Sequence, residues 1–301
     1  MCGRFALYAS VAEVASCFGI NRTASPGTGV GASGIDQSDA GIDQQPARLR
    51  PRWNIAPSQG VLAVVSCGTD SVRDDTRVAV LTELQWGLVP AWAKDPSSGS
   101  KLINARVETV ATKPSFRSAF DRRRCIIPAN GFYEWRRRTP AATGAEARST
   151  PYFVHRTDGG LLALAGVWER WSGPGGASLL TCAIITTRAD GMLSQIHERM
   201  PVILPKGAWQ RWLDPGPIDA LQLNDLLAQN QDGLLMPERV SSEVNDPRHD
   251  GPALIEALGD QQKSRERTSA ASSKESIRSA TMFTTPPADS TLPRTTRAVA
   301  D

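Results

Sequence analysis

Tyr152-Phe153-Val154-His155-Arg156, Leu161-Leu162-Ala163-Leu164-Ala165, Val167-Trp168-Glu169-Arg170-Trp171 and Leu179-Leu180-Thr181-Cys182-Ala183-Ile184-Ile185-Thr186 follow one another between Gly- or Pro-containing turns. Each run is rich in β-branched, aromatic and other apolar residues over strand length, so each predicts a strand. Three more strands are expected upstream: Val61–Ser66, Val78–Leu88 and Cys125–Pro128, with the polar stretch Cys67–Arg77 as a turn. Helices are few. Ser10 and Glu13 make a capping box ahead of Val11, Val14, Ala15 and Phe18, and Gly19 ends that element. Asp190–Gln195 reads as a helical turn, and Trp209–Leu213 and Ile218–Gln229 have helical spacing. Many short strands and few helices predict one α+β domain on a mostly antiparallel, partly closed sheet.

Two segments are expected to stand outside that core. About 21–50 is Gly-, Ser-, Asp- and Gln-rich with few large apolar residues and predicts a flexible insertion within a 2–258 domain. Residues 259–301 are rich in Ser, Thr, Arg and Pro and predict a disordered tail.

Composition narrows the function classes. The 301 residues carry a net charge of only +3, so bulk charge does not announce a nucleic-acid binder. The local density of Arg117, Arg122, Arg123, Arg124, Arg136, Arg137 and Arg138 is a pattern that attracts phosphate or forms a solvated face. The 5 cysteines are dispersed with no Cys-x-x-Cys, which argues against a disulfide framework or a zinc site and for a reducing cytoplasm. No secretory signal and no membrane span are read in the sequence. No metal and no nucleotide cofactor are expected, since no Gly-rich phosphate loop, His-Glu-x-x-His or Gly-x-Ser-x-Gly occurs.

Four side chains carry chemistry. Cys2 follows the initiator Met1, and removal of Met1 would leave an α-amine and a thiol on one residue. Both groups have ordinary pKa values near ~8 to 8.5. Such an aminothiol traps an aldehyde: the amine forms a Schiff base and the thiol closes it to a thiazolidine. Glu134 sits among Phe132, Tyr133 and Trp135, where partial desolvation raises a carboxyl pKa toward the range of a general acid–base, or where nearby arginines pair with it. His197, of 3 histidines, lies where one element ends and a strand begins. Asn104 is a polar residue in the apolar run Leu102-Ile103-Asn104-Ala105 and needs partners, either a loop or a ligand. The 8 tryptophans are core or base-stacking residues.

Six segments occur together and in order: Met1-Cys2-Gly3-Arg4-Phe5, Trp53-Asn54-Ile55-Ala56-Pro57, Trp86-Gly87-Leu88-Val89-Pro90, Ile103-Asn104-Ala105-Arg106-Val107-Glu108-Thr109, Arg124 through Trp135, and Ile196-His197-Glu198-Arg199-Met200-Pro201. In them the chain resembles the SRAP (SOS response-associated peptidase) family of abasic-site processing proteins over residues 2 to about 257. The resemblance implies a β-barrel-like core flanked by short helices and a basic cleft for single-stranded DNA. It implies a monomer, cytoplasmic and nucleoid-associated when on damaged DNA, in which Cys2 links covalently to a ring-opened abasic site and shields it. It implies that Asn104 holds Cys2 and the sugar, that Glu134 and His197 assist proton transfer, that Arg4, Arg106 and Arg199 meet phosphates, and that Pro57 and Trp92 lie near the bases. The family's peptidase label is read as loss of Met1 or reversal of the adduct. Two alternatives stay open: an N-terminal-cysteine peptidase using Cys2, Glu134 and His197, and a non-covalent single-stranded DNA reader.

Overall fold

The computed structural model describes residues 2–20, 50–68, 77–136, 149–218, 222–223 and 233–259. The expected insertion at 21–50, the tail, most of the helix expected at 218–229 and most of the polar stretches 67–77 and 136–150 lie outside those residues. Met1–Ala257 forms one compact unit.

Five strands close a barrel: β3 (Gly60–Gly68), β4 (Arg77–Trp86), β6 (Arg124–Ala129), β9 (Leu162–Ser172) and β10 (Ser178–Arg188). The pairings β4–β3, β3–β6, β6–β9 and β9–β10 are antiparallel. A parallel pairing of β10 with β4, at Thr181 with Gln85 and Cys182 with Trp86, returns to the start. Two short strands, β5 (Asn104–Arg106) and β11 (Arg199–Pro201), extend from β10 beyond the barrel.

A second sheet is antiparallel throughout. Its order is β12 (Leu235–Arg239), β8 (Thr150–Arg156), β7 (Gly131–Arg136), β1 (Arg4–Leu7) and β2 (Arg52–Ile55). Alternation along its strands divides two cores. Phe5, Leu7, Phe132 and Val154 face the barrel-side apolar cluster. Ala6, Tyr133 and Phe153 face the other way, against Val240, Val244 and Leu254.

The helix expected at Ser10 is α1 (Val11–Cys17), with both capping-box hydrogen bonds formed and Gly19 in the left-handed region. The expected turn Asp190–Gln195 is a 3-10 segment, Gly191–Gln195, and α3 is Trp209–Leu213. A further helix, α2, is Arg117–Arg122.

Two expectations are corrected. The runs Leu161–Ala165 and Val167–Trp171 are one strand, β9, passing straight through Gly166. Gly166 pairs with Cys125 on one side and Ile184 on the other, and a Cβ there would sit 2.8 Å from Cys125 Sγ. Glycine serves close packing of three strands here, where the sequence suggests a turn.

The second correction concerns the arginine-dense stretch. Arg124 is buried, 3% exposed, and points inward. Its Nε donates to Trp212 O at 2.7 Å, its Nη1 to Phe120 O at 2.7 Å and Gly216 O at 2.8 Å, and its Nη2 to Asp214 O. These carbonyls lie in the last turns of α2 and α3 and just after α3, so one guanidinium satisfies groups that helix termini leave unpaired. Burial lowers its pKa to about 10, which leaves it charged at neutral pH. Arg123 is paired with Glu169 at 2.7 Å. Arg124→Ala strands these carbonyls in an apolar setting and is expected to cost about 3–5 kcal/mol. The check is a chemical-denaturation midpoint, expected to fall with its slope unchanged.

Candidate active site

The second sheet and the β5–β10–β11 end of the barrel approach each other around Cys2. Cys2 precedes β1 and is fully buried. Asn104, the first residue of β5, donates Nδ2–H to Cys2 O at 2.8 Å, which ties the chain start to the barrel. Asn104 Oδ1 is buried and has no hydrogen-bond partner among the described residues, so it is an acceptor with capacity to spare. Glu134 lies on β7 on the Phe132 face and is 3% exposed. His197 sits between the 3-10 turn and β11, and its Nδ1 is 3.9 Å from Glu134 Oε2.

The electrostatics separate the groups by role. Burial pushes the Glu134 carboxyl up to about 7, partly opposed by the charge of the chain's α-amino group. It can therefore hold or release a proton near neutrality. Burial, and next the Glu134 charge, raise the Cys2 thiol well above its ordinary value. The resting sulfur is a protonated thiol that requires a base at the moment it reacts. His197 Nδ1 meets two partners on one residue: the Arg199 N–H at 3.0 Å and the Arg199 carbonyl at 3.1 Å. The N–H donates to a bare ring nitrogen and the carbonyl accepts from a protonated one, so the ring keeps a partner in either state.

The four residues expected to carry the chemistry thus come from two strands, β5 and β7, and from the segments that lead into β1 and β11, and meet. The five expected at the DNA are placed differently from one another. Trp92 is 68% exposed and Arg106 is exposed. Pro57 is half-buried, and Ser58 after it holds a positive φ of 70° while its N–H donates to Trp86 O at 2.7 Å. Arg4 turns away from Cys2: its Nη1 donates to Asn54 Oδ1 at 2.9 Å and Val244 O at 2.8 Å, and its Nη2 to Asn245 O at 3.2 Å. Arg199 makes a two-point ion pair with Glu108, Nη1–Oε1 at 2.6 Å and Nη2–Oε2 at 2.9 Å.

Sequence reading missed Asp250 and the role of Asn54. Asp250 Oδ1 accepts from Trp53 N at 2.6 Å and Asn54 N at 3.2 Å, and its other oxygen from Arg52 Nε. The buried Asn54 amide donates to Val244 O, Asp246 O and His249 O. Together with Arg4 these residues clasp 244–250 onto β1 and β2. The only signal was a polar residue inside Trp53-Asn54-Ile55.

A family model described as SOS response associated peptidase (SRAP) matches residues 1–247. The chain belongs to the SRAP family. It is 36% identical over 257 residues to the abasic site processing protein YoqW of Bacillus subtilis, covering 85% of this chain and 100% of that one. It is 30% identical over 242 residues to the abasic site processing protein HMCES of Mus musculus, covering 70% of this chain and 66% of that one. Two crystal structures share the fold. A Bacteroides thetaiotaomicron protein matches with a TM-score of 0.63 at 22% identity, covering 85% of this chain and 100% of that one. A Bordetella bronchiseptica protein matches with a TM-score of 0.55 at 23% identity, covering 80% and 100%. The expected α+β architecture with a barrel core is thereby the SRAP fold.

Proposed function

We propose that this SRAP protein captures abasic sites in single-stranded DNA as a covalent thiazolidine on Cys2, once Met1 is removed. The observation that carries this is the meeting of Cys2, Asn104, Glu134 and His197, with a carboxyl held near 7 beside a buried thiol. The names of YoqW and HMCES support abasic DNA as the substrate class.

An abasic deoxyribose opens to an aldehyde. The Cys2 amine adds to that carbon and gives a carbinolamine. Glu134, protonated, gives its proton to the departing hydroxyl, the amine loses its own, and one water leaves as the C=N bond forms. The Glu134 carboxylate then takes the thiol proton while sulfur bonds to the same carbon, and the nitrogen is reprotonated. The ring that results has no imine, so the strand is not cut by β-elimination. Asn104 holds the Cys2 carbonyl through this sequence and offers its free Oδ1 to a sugar hydroxyl. His197 relays protons beside Glu134. Arg106, Trp92 and Pro57 serve the phosphates and bases, with Arg199 and Arg4 as the less available cations.

The test mixes the purified protein with a single strand carrying one abasic site. A heat-stable species is expected on a denaturing gel, with an intact mass equal to protein plus DNA less one water. A chain with one residue added before Cys2 is expected to give none. No adduct from protein verified to start at Cys2 sinks the proposal. Peptide cleavage by the same preparation, lost with Cys2, would point to the peptidase alternative.

A further inference from the structure

Glu108 belongs to none of the roles above, yet it grips a residue that does. Its carboxylate holds both terminal nitrogens of Arg199, and Arg199 Nη2 also donates to Thr186 O on β10 at 2.6 Å. The hydrogen bonds from Arg199 lower the Glu108 pKa, so the pair is charged at neutral pH. Glu108 is half exposed, at 49%, against 15% for Arg199. A pair this open contributes little to stability. Its consequence is geometric. A two-point fork fixes the guanidinium plane, which a single contact does not.

Arg199 is the first residue of a three-residue strand, where the chain leaves the 3-10 turn and pairing with Arg188 begins. Backbone pairing holds this end to β10, with the Ala189 N–H donating to Glu198 O at 2.9 Å. The Arg199 N–H and C=O are the two groups that meet His197 Nδ1. Glu108 reaches it from the segment just after β5, the strand that carries Asn104.

We propose that Glu108 is a positioning residue for His197: by clamping the Arg199 side chain to Glu108 and Thr186 it keeps the Arg199 peptide groups against Nδ1. This rests on the capture chemistry proposed above. Glu108 also withholds Arg199 from the DNA backbone, so its loss slows the chemistry without weakening binding.

The experiment measures single-turnover adduct formation at saturating abasic single strand for wild type, Glu108→Gln, His197→Ala and the double variant. Affinity for an intact strand is measured beside it. Glu108→Gln is expected to slow capture by about tenfold or more. Its affinity should be unchanged or tighter, because one negative charge facing the phosphates is gone. In the His197→Ala background the same change is expected to have no further effect. Capture by Glu108→Gln at the wild-type rate, an equal slowing in the His197→Ala background, or slowing explained by weaker DNA binding would each overturn the inference. The 15N resonance of His197 Nδ1 in DNA-free protein reads the contact independently of any adduct. It is expected to shift in Glu108→Gln, and no shift overturns the proposal even where capture itself is intact. Failure of wild type to form an adduct is instead the failure of the capture chemistry.

Discussion

Cys2→Ala is expected to leave no heat-stable adduct with abasic single strand, a loss of at least about 10³-fold in accumulated crosslink. The reason is chemical. Alanine keeps the α-amine, so a Schiff base still forms, but no sulfur is present to close it. The imine is reversible and open to β-elimination. Borohydride should therefore trap the variant on DNA although heating releases it without reductant. The side chain lies wholly buried in the core against β1, so removing one sulfur leaves a small void and costs about 1 kcal/mol. A folded variant that binds the strand and is trapped only by reductant separates the thiol's role from the amine's. A heat-stable adduct from Cys2→Ala would mean that another nucleophile does the work.

Glu134→Gln is expected to slow capture by about 10²–10⁴-fold, since no group at that position can then give or take a proton. The same change should stabilise the fold in mildly basic solution. Burial holds the Glu134 carboxyl at about 7 against an unfolded-chain value of 4.5, so the folded state binds the proton more tightly than the unfolded one. The linkage sign follows: the neutral carboxyl's contribution is fully present below about pH 4.5 and is lost as pH rises to about 7. The gap corresponds to about 3 kcal/mol by pH 8. Wild type is thus expected to lose stability between about pH 5 and pH 8, measured by denaturant midpoints, while Glu134→Gln stays flatter and exceeds it at the upper end. A wild-type profile that rises over this window would show a carboxylate paired in its charged form. Wild-type capture should also rise with pH as the amine deprotonates, level off between about pH 7 and pH 8 as loss of the Glu134 proton offsets that gain, and fall above it.

Much of the architecture was legible before any coordinates. Strands β3, β4, β6, β8 and β10 all begin and end within a few residues of apolar runs visible in the chain, and α1 follows its capping box. Of those strands β8 lies in the second sheet, and nothing in its own pattern said which sheet it would join. The short strands β1, β2, β5 and β12 were not read as strands, because three to five residues carry too little periodicity and are held by pairing with distant partners. Gly166 was misread because a glycine that permits close approach looks, in one dimension, like a glycine that turns the chain.

The proposed chemistry is local, and its parts were legible in the sequence by itself: a cysteine directly after Met1 at Cys2, a carboxylate among aromatics at Glu134, and a histidine at an element end at His197. Tertiary structure alone decided which cations are available. Arg124, Arg4 and Arg199 look alike in the chain, yet the first is wrapped in helix-end carbonyls, the second clasps 244–245, and the third is forked by Glu108. A guanidinium's use is set by the acceptors that long-range packing brings within about 3 Å of it, and those acceptors are mostly backbone carbonyls whose positions no residue type encodes.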